Sequence, residues 1–198
     1  MTQLNSQQQE QKLIEIILQN PFVYEILNSN PFPDGQSWYL GAGGITQTVW
    51  NHLSGKTLTD GIDDYDLIYF DTNIDPRIEE EHRKRIRNQL KHLPTVIDVV
   101  NETRVHEWFE EYFHRSIEPY TSCEDAIDSW SPCSAIGVTK KGTEYHIYHS
   151  FDLDDLFSMT LRPNKDHQAH FADFAYEKKA KKWKTRWPKL KVIPWGDE

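Results

Sequence analysis

The chain has 198 residues and a formal net charge of −9, and 13% of its residues are aromatic. This length favours one domain with a sizeable core, and the aromatic content excludes a disordered chain. The acidic balance argues against a protein that coats nucleic acid. The two cysteines, Cys123 and Cys133, make neither a disulfide framework nor a zinc-binding pattern.

The N-terminus shows no export signal. Residues 1–12 lack the basic and then apolar pattern of a signal peptide, and no apolar run in the chain is long enough to span a membrane. Because cysteine is also scarce, these features predict a cytoplasmic protein without a membrane partner.

The first thirty residues predict helices that support the rest of the domain. Ser6 and Gln9 have the spacing of a capping box, and a broad apolar face follows over residues 13–18. Pro21 predicts a break, after which residues 22–27 form a second short helix. We assign no chemistry to residues 1–30.

The central stretch predicts a strand, a glycine turn, a helix, a connector and a second strand over residues 38–71. Asp64 and Asp66 in the second strand point to the same face, because side chains alternate along a strand. Two such carboxylates repel unless a cation lies between them, and oxygen ligands suit Mg²⁺. The glycine turn at residues 41–44 opens a helix and offers bare N–H groups to a phosphate.

The rest of the chain alternates helices and strands. A helix with a solvated, charged face is predicted from Pro76 to about Leu93, and an apolar strand at residues 96–100 is interrupted by Asp98. Asn101 caps a further helix, and two strands form a hairpin over residues 134–148. The expected fold is therefore α/β, with a mixed sheet flanked by helices.

The C-terminal part, residues 165–198, predicts a helix from about Lys165 to Trp183 and a basic tail. Lysine and arginine recur from residue 178 to residue 191 with no acid among them. Trp183 and Trp187 lie one helical turn apart, which predicts that they pack on the core. The basic side chains either contact a polyanionic acceptor or form a solvated helix face, and the sequence leaves both alternatives open.

Several motifs carry a resemblance to a known family. They are residues 42–51 and 63–71, the segment Asn101 to His106, and the runs Arg-Pro-Asn and Arg-Trp-Pro-Lys-Leu that begin at Arg162 and Arg186. The chain resembles the polymerase-β-like nucleotidyltransferase superfamily, and more closely a bacterial family of small nucleotidyltransferase-like proteins with no established acceptor. The resemblance implies a single nucleotidyltransferase-like domain over residues 1–198.

The resemblance also implies a reaction and its metal. The reaction transfers a nucleoside monophosphate from an NTP, ATP among them, to a hydroxyl and releases pyrophosphate, with one or two Mg²⁺ ions bound. Asp64, Asp66 and Asp98 are the implied catalytic and metal-binding carboxylates, and Glu102 is the alternative to Asp98. The acceptor is a small molecule, a protein or an RNA.

Phosphate binding is expected at the glycine turn. Gly43 and Gly44 match the family's small-residue pair, so a side chain there should crowd the phosphates, and Gly44→Val should weaken NTP binding in a folded protein. The further candidate phosphate ligands are Thr46, Gln47, Arg104 and Arg162. His106 is expected to be structural.

Two other functions stay open on the sequence alone. One is a non-catalytic relative that keeps the fold and the pocket as a nucleotide-binding or regulatory protein, although three carboxylates kept together favour activity. The other is an RNA-binding protein that acts through the basic tail.

Overall fold

The computed structural model describes residues 5–33, 35–164 and 173–196. Its centre is a five-stranded sheet with strands β1 (Ser37–Gly41), β2 (Asp64–Phe70), β3 (Val96–Asn101), β4 (Ile136–Lys141) and β5 (Glu144–His149). The strand order is β3-β2-β1-β4-β5, in which β2 and β3 are parallel and all other neighbours are antiparallel. The predicted mixed sheet flanked by helices is confirmed.

Helices precede, connect and follow the strands of this sheet. They are α1 (Ser6–Ile17), α2 (Pro21–Asn28), α3 (Ala42–Leu53), α4 (Pro76–Gln89), α5 (Val105–Phe113), α6 (Cys123–Asp128), α7 (Asp154–Phe157) and α8 (Asp173–Arg186). A short parallel pair, β6 (Thr160–Leu161) and β7 (Lys191–Val192), joins the C-terminal part to the loop after α7. The predicted helical residues 165–172 lie outside the described residues. Among the helices that the structure describes, none is long and apolar enough to cross a membrane.

The β1-α3-β2 unit positions the residues of greatest interest. β1 and β2 pair antiparallel from Ser37 opposite Phe70 to Gly41 opposite Asp66. α4 then provides the crossover that a parallel β2–β3 pair requires. The parallel register of β2 and β3 places Asp66 directly beside Asp98 on β3.

The core packs α3 against the C-terminal part of the chain. Trp50 on α3 is fully buried, and its ring centroid lies 5.0 Å from that of Trp183 and 5.5 Å from that of Trp187. The Trp50 indole N–H also donates to the carbonyl of Leu156, 2.9 Å away. The prediction that the tail tryptophans pack on the core is therefore confirmed.

The first helix begins one residue earlier than the sequence pattern indicated. Asn5 caps it: its side chain accepts from the Gln8 N–H at 2.9 Å, and the Gln8 side chain accepts from the Asn5 N–H at 3.0 Å. The predicted Ser6–Gln9 box is wrong, because asparagine caps as well as serine and Gln9 instead donates to Asp154 at 2.6 Å.

Candidate active site

Three carboxylates share one face of the sheet at the β2–β3 pair. Asp64 and Asp66 are two residues apart on β2, and Asp66 is the partner of Asp98 in the parallel register. Neighbouring strands are only about 4.8 Å apart, so side chains at partner positions lie side by side. The structure thus brings together the three residues that the sequence named.

The carboxylates interact strongly with one another. Burial raises the pKa of Asp66 to about 7, and the charges of Asp64 and Asp98 add to this rise. Burial also raises the pKa of Asp64, with contributions from Asp63 and Asp98. Burial and like charges therefore both disfavour full ionisation of these carboxylates.

Asp98 differs from the other two in its partners. Its side chain is 44% exposed, and its Oδ1 accepts from the Arg87 Nη2 at 3.4 Å and from the Val99 N–H at 3.1 Å. Among the described residues, no group of three or more His, Cys, Asp or Glu side chains has the arrangement of a metal site. A metal bridge to Asp98 would therefore require this side chain to leave Arg87.

The N-terminus of α3 opens beside Asp66. Gly41 precedes the helix without a side-chain cap, and the nearby Gly43 backbone N–H partly opposes the rise in the pKa of Asp66. Ala42 has a φ of +48°, in the left-handed region that non-glycine residues rarely adopt. A Cβ added at Gly43 would lie 2.8 Å from the Gln47 amide nitrogen and 4.0 Å from Asp66 Oδ2, so both Gly43 and Gln47 border the carboxylate.

Gly44 and Thr46 have structural roles instead. A Cβ at Gly44 would lie 2.8 Å from the ring of Tyr65, which is fully buried on the opposite face of β2. The buried Thr46 hydroxyl donates to the carbonyls of Ala42 at 3.1 Å and Cys133 at 3.0 Å. The structure does not support Thr46 as a phosphate ligand, and it places a side chain at Gly44 against the core.

Arg104 and Arg162 do not reach the carboxylates either. Arg104 pairs with Glu79 at 3.0 Å and with Glu107 at 2.9 Å, which ties the segment after β3 to α4. Arg162 makes a bidentate pair with Asp155, at 2.5 and 2.9 Å, and lines a separate cavity of about 440 Å³. Glu107 is a local partner at i+3, whereas the sequence pattern did not reveal Glu79 and Asp155, which the fold brings to Arg104 and Arg162.

A cavity of about 290 Å³ adjoins the carboxylates. Asp66 and Asp98 lie on its wall, and Glu102, which is only 5% exposed, lines it further along the β3 side. Burial raises the pKa of Glu102 to about 8, and the charges of Asp66 and Glu79 contribute. Aromatic residues supply much of the remaining wall: Trp108, Phe109, Phe113, Tyr120 and Trp130.

Lys179 also lines this cavity, and the sequence did not single it out. Burial lowers the pKa of the Lys179 ammonium, while Cys133 and Asp66 oppose that shift. Its Nζ lies 4.6 Å from the ring centroid of Trp183, one turn later in α8. The sequence did contain a signal for this position. Lys179 is four residues before Trp183, which was predicted to pack on the core, and residues at this spacing share one face of a helix.

The family assignment follows from a comparison with known proteins. Residues 34–192 match the model of a nucleotidyltransferase family. The chain belongs to this nucleotidyltransferase family. A search among curated proteins gave no match.

A solved structure resembles the nucleotidyltransferase over almost its whole length. It is an NMR structure described as revealing a CCA-adding enzyme head domain, with a TM-score of 0.74 and 22% sequence identity. The match covers 93% of this chain and 96% of the other. At this identity the likeness shows a shared fold, in agreement with the mixed sheet described above.

The glycine pair of the nucleotidyltransferase gives a first prediction. Gly43→Ala should leave the free energy of unfolding within about 1 kcal/mol of wild type, because the movable end of Gln47 can shift, but it should weaken NTP binding. Gly44→Val should destabilise the fold by about 1–3 kcal/mol, because it forces extra atoms onto the Tyr65 ring. Thermal melts with and without Mg²⁺ and NTP measure both effects. Equal NTP affinity for wild type and folded Gly43→Ala would contradict the phosphate site.

Proposed function

We propose that this nucleotidyltransferase moves a nucleoside monophosphate from an NTP to a hydroxyl acceptor, with Mg²⁺ bound at Asp64, Asp66 and Asp98. The observation that supports this most is the position of Asp66. It lies beside Asp98, and Gly43 in the first turn of α3 is close enough that a Cβ there would lie 4.0 Å from its Oδ2. A carboxylate pair thereby adjoins a helix N-terminus, which favours phosphate.

The donor set fits a hard divalent cation. The groups that meet at the site are carboxylates, which are the oxygen ligands Mg²⁺ prefers. Burial is the main cause of the raised pKa of Asp66, and the charges of Asp64 and Asp98 add repulsion that a cation would relieve. Bound Mg²⁺ would neutralise the triphosphate and lower the pKa of the attacking hydroxyl.

The chain's own residues have separate tasks in this proposal. Free backbone N–H groups in the first turn of α3 and the Gln47 amide hold phosphate oxygens, and Lys179 offsets the negative charge of the triphosphate. The acceptor oxygen bonds to the α-phosphorus while the bond to the β-phosphate bridging oxygen breaks, and pyrophosphate leaves with the electron pair. Asp98 is positioned to accept the hydroxyl proton once its contact with Arg87 opens.

One observation favours a second candidate, a non-catalytic nucleotide-binding relative. Asp98 is held by Arg87, and the described residues contain no ready three-ligand metal group. The proposal of RNA binding through the basic tail has less support. Lys182 pairs with Asp63, and the Lys184 ammonium donates to the carbonyl of Leu190, so these two cations have partners within the chain.

A labelling experiment separates the candidates. The protein is incubated with each NTP labelled at the α-phosphate, Mg²⁺ and a cell extract, in parallel with Asp66→Asn. A labelled product that requires Asp66 would support transfer and lead to the acceptor. Binding of Mg²⁺ and NTP without any product would favour the non-catalytic relative. Absence of NTP binding would refute both.

The role of Lys179 gives a second prediction. Lys179→Met should weaken NTP binding about 10-fold or more and weaken NMP binding much less, because the charge it removes faces the triphosphate. Lys178→Met, an exposed neighbour on the same helix, is the matched control and should bind like wild type. Titrations with NTP, NDP and NMP measure the difference. An equal loss for all three nucleotides would assign Lys179 to general packing instead.

A further inference from the structure

Glu102 is a buried carboxyl group whose role the proposed reaction leaves unexplained. It is 5% exposed, lines the cavity beside the carboxylates, and has no hydrogen-bond or ion-pair partner among the residues that the structure describes. A buried carboxyl group without a donor is costly, so its position needs a compensating partner.

The segment around Glu102 is held rigidly, so the position is well defined. Asn101 accepts from the N–H groups of Asp71 and Thr103 and donates to the carbonyl of Asp71. Arg104 is fixed by Glu79 on α4 and by Glu107 on α5. These contacts fix the backbone on both sides of Glu102, which itself lines the cavity.

The hydroxyl groups on the cavity wall have partners within the chain. The hydroxyls of Ser129 and Tyr120 lie 2.9 Å apart, Ser129 also donates to the carbonyl of Ala126, and Ser134 donates to the carbonyl of Ser131. The wall around Glu102 is otherwise apolar and aromatic, with Val105 and Phe109 among its members. Aromatic faces attract cations, most strongly where water is excluded.

The location of Glu102 identifies which substrate it would meet. The sheet order β3-β2-β1 places Asp66 on β2 between β3 and the start of α3, where the phosphates are proposed to bind, and the cavity extends from Asp98 on β3 to Glu102 and to residues of α5. Attacking and leaving oxygens lie in line on opposite sides of the α-phosphorus. The β3–α5 side of the cavity is therefore the acceptor side. Lys179 is the basic residue among the described cavity-lining groups, and it interacts with Asp66 at the other end, which disfavours a polyanionic acceptor.

We propose that the acceptor carries an amine as well as a hydroxyl: its ammonium group binds Glu102 among the aromatic rings of α5, and its hydroxyl points toward Asp66 and Asp98. The inference rests on the proposed function, because that reaction defines an acceptor side. It adds the substrate class, a small hydroxyl compound with a cationic nitrogen and an apolar body.

Two probes of nearly the same shape test this subsite. Tyramine has a phenol hydroxyl, an aromatic body and an ammonium group, and 4-ethylphenol lacks only the amine. Calorimetric titration of the full chain in saturating Mg²⁺ should show at least about 10-fold tighter binding of tyramine. Glu102→Gln should bring the two affinities within about 2-fold, and Glu110→Gln, an exposed acid on α5, should retain the preference.

The outcomes separate the inference from the proposed function. Equal or tighter binding of 4-ethylphenol by wild type, binding of neither probe, or an unchanged preference in Glu102→Gln would each overturn the amine subsite; the comparison in wild type needs no variant to fold. Binding of Mg²⁺ and ATP is measured in the same samples, and Glu102→Gln should retain it. A Glu102-dependent preference for tyramine without any nucleotide binding would support the subsite and refute the transfer reaction.

Discussion

Asp66→Asn is expected to reduce nucleotidyl transfer at least about 100-fold while leaving the metal-free protein as stable as wild type or slightly more stable. The variant removes a proposed metal ligand and a negative charge that Asp64 and Asp98 repel, and it keeps the size of the side chain. Transfer is measured by release of labelled product, and stability by thermal melts with and without Mg²⁺ and NTP.

The stability difference should depend on pH in a defined direction. The pKa of Asp66 rises from 3.8 to about 7 on folding, so the folded state keeps a proton that the unfolded chain has lost. Below about pH 4 Asp66 is protonated in both states and does not change the free energy of unfolding. As the pH rises from 4 toward 7, the free energy of unfolding falls progressively, because only the unfolded chain ionises readily. Asp66→Asn lacks this loss, so its advantage over wild type should widen across that range.

A neighbouring aspartate provides the control. Asp63 pairs with Lys182 near the start of β2, and this hydrogen bond lowers the Asp63 pKa. Asp63→Asn should therefore retain transfer. Equal stabilisation of wild type and Asp66→Asn by Mg²⁺ and NTP would refute the metal assignment. A metal-free Asp66→Asn protein that is about 1–3 kcal/mol less stable than wild type would make Asp66 a structural carboxylate.

Trp50→Ala is expected to lower the free energy of unfolding by about 3–5 kcal/mol. The substitution empties a fully buried site, removes two edge-to-face ring contacts and leaves the carbonyl of Leu156 without its donor. Trp108→Ala makes the same chemical change at a side chain that is 38% exposed, and should cost about 1 kcal/mol or less. Urea unfolding of the two variants gives the comparison. A similar loss in both would mean that the contacts of Trp50 are not what holds α8 to the core.

Short-range patterns predicted the centre of this fold well. The glycine run, the helical spacing after it and the alternation of Asp64 and Asp66 are local properties, and they located β1 and β2 to within about a residue. The helix α3 begins earlier than predicted, at Ala42, so that Gly43 and Gly44 lie in its first turn. The adjacency of Asp66 and Asp98 could also be anticipated, because each interrupts an apolar strand and those strands pair in parallel.

Predictions that depended on distant partners were less successful. The sequence cannot say that Arg104 meets Glu79 or that Thr46 meets the carbonyl of Cys133, because folding alone brings those groups together. It also treated Gly43 and Gly44 as equivalent, whereas successive residues of a helix point in different directions, one toward Asp66 and the other toward Tyr65.

The attachment of α8 has a consequence for the order in which the protein matures. Lys179 and Trp183 on α8, and Trp187 just after it, are made long after β2 and β3, and the two tryptophans pack on Trp50. During synthesis on the ribosome, the nascent chain therefore carries its cluster of acids before it has the lysine that lines the same cavity. The proposed triphosphate site is complete only after α8 has been translated and has packed on α3.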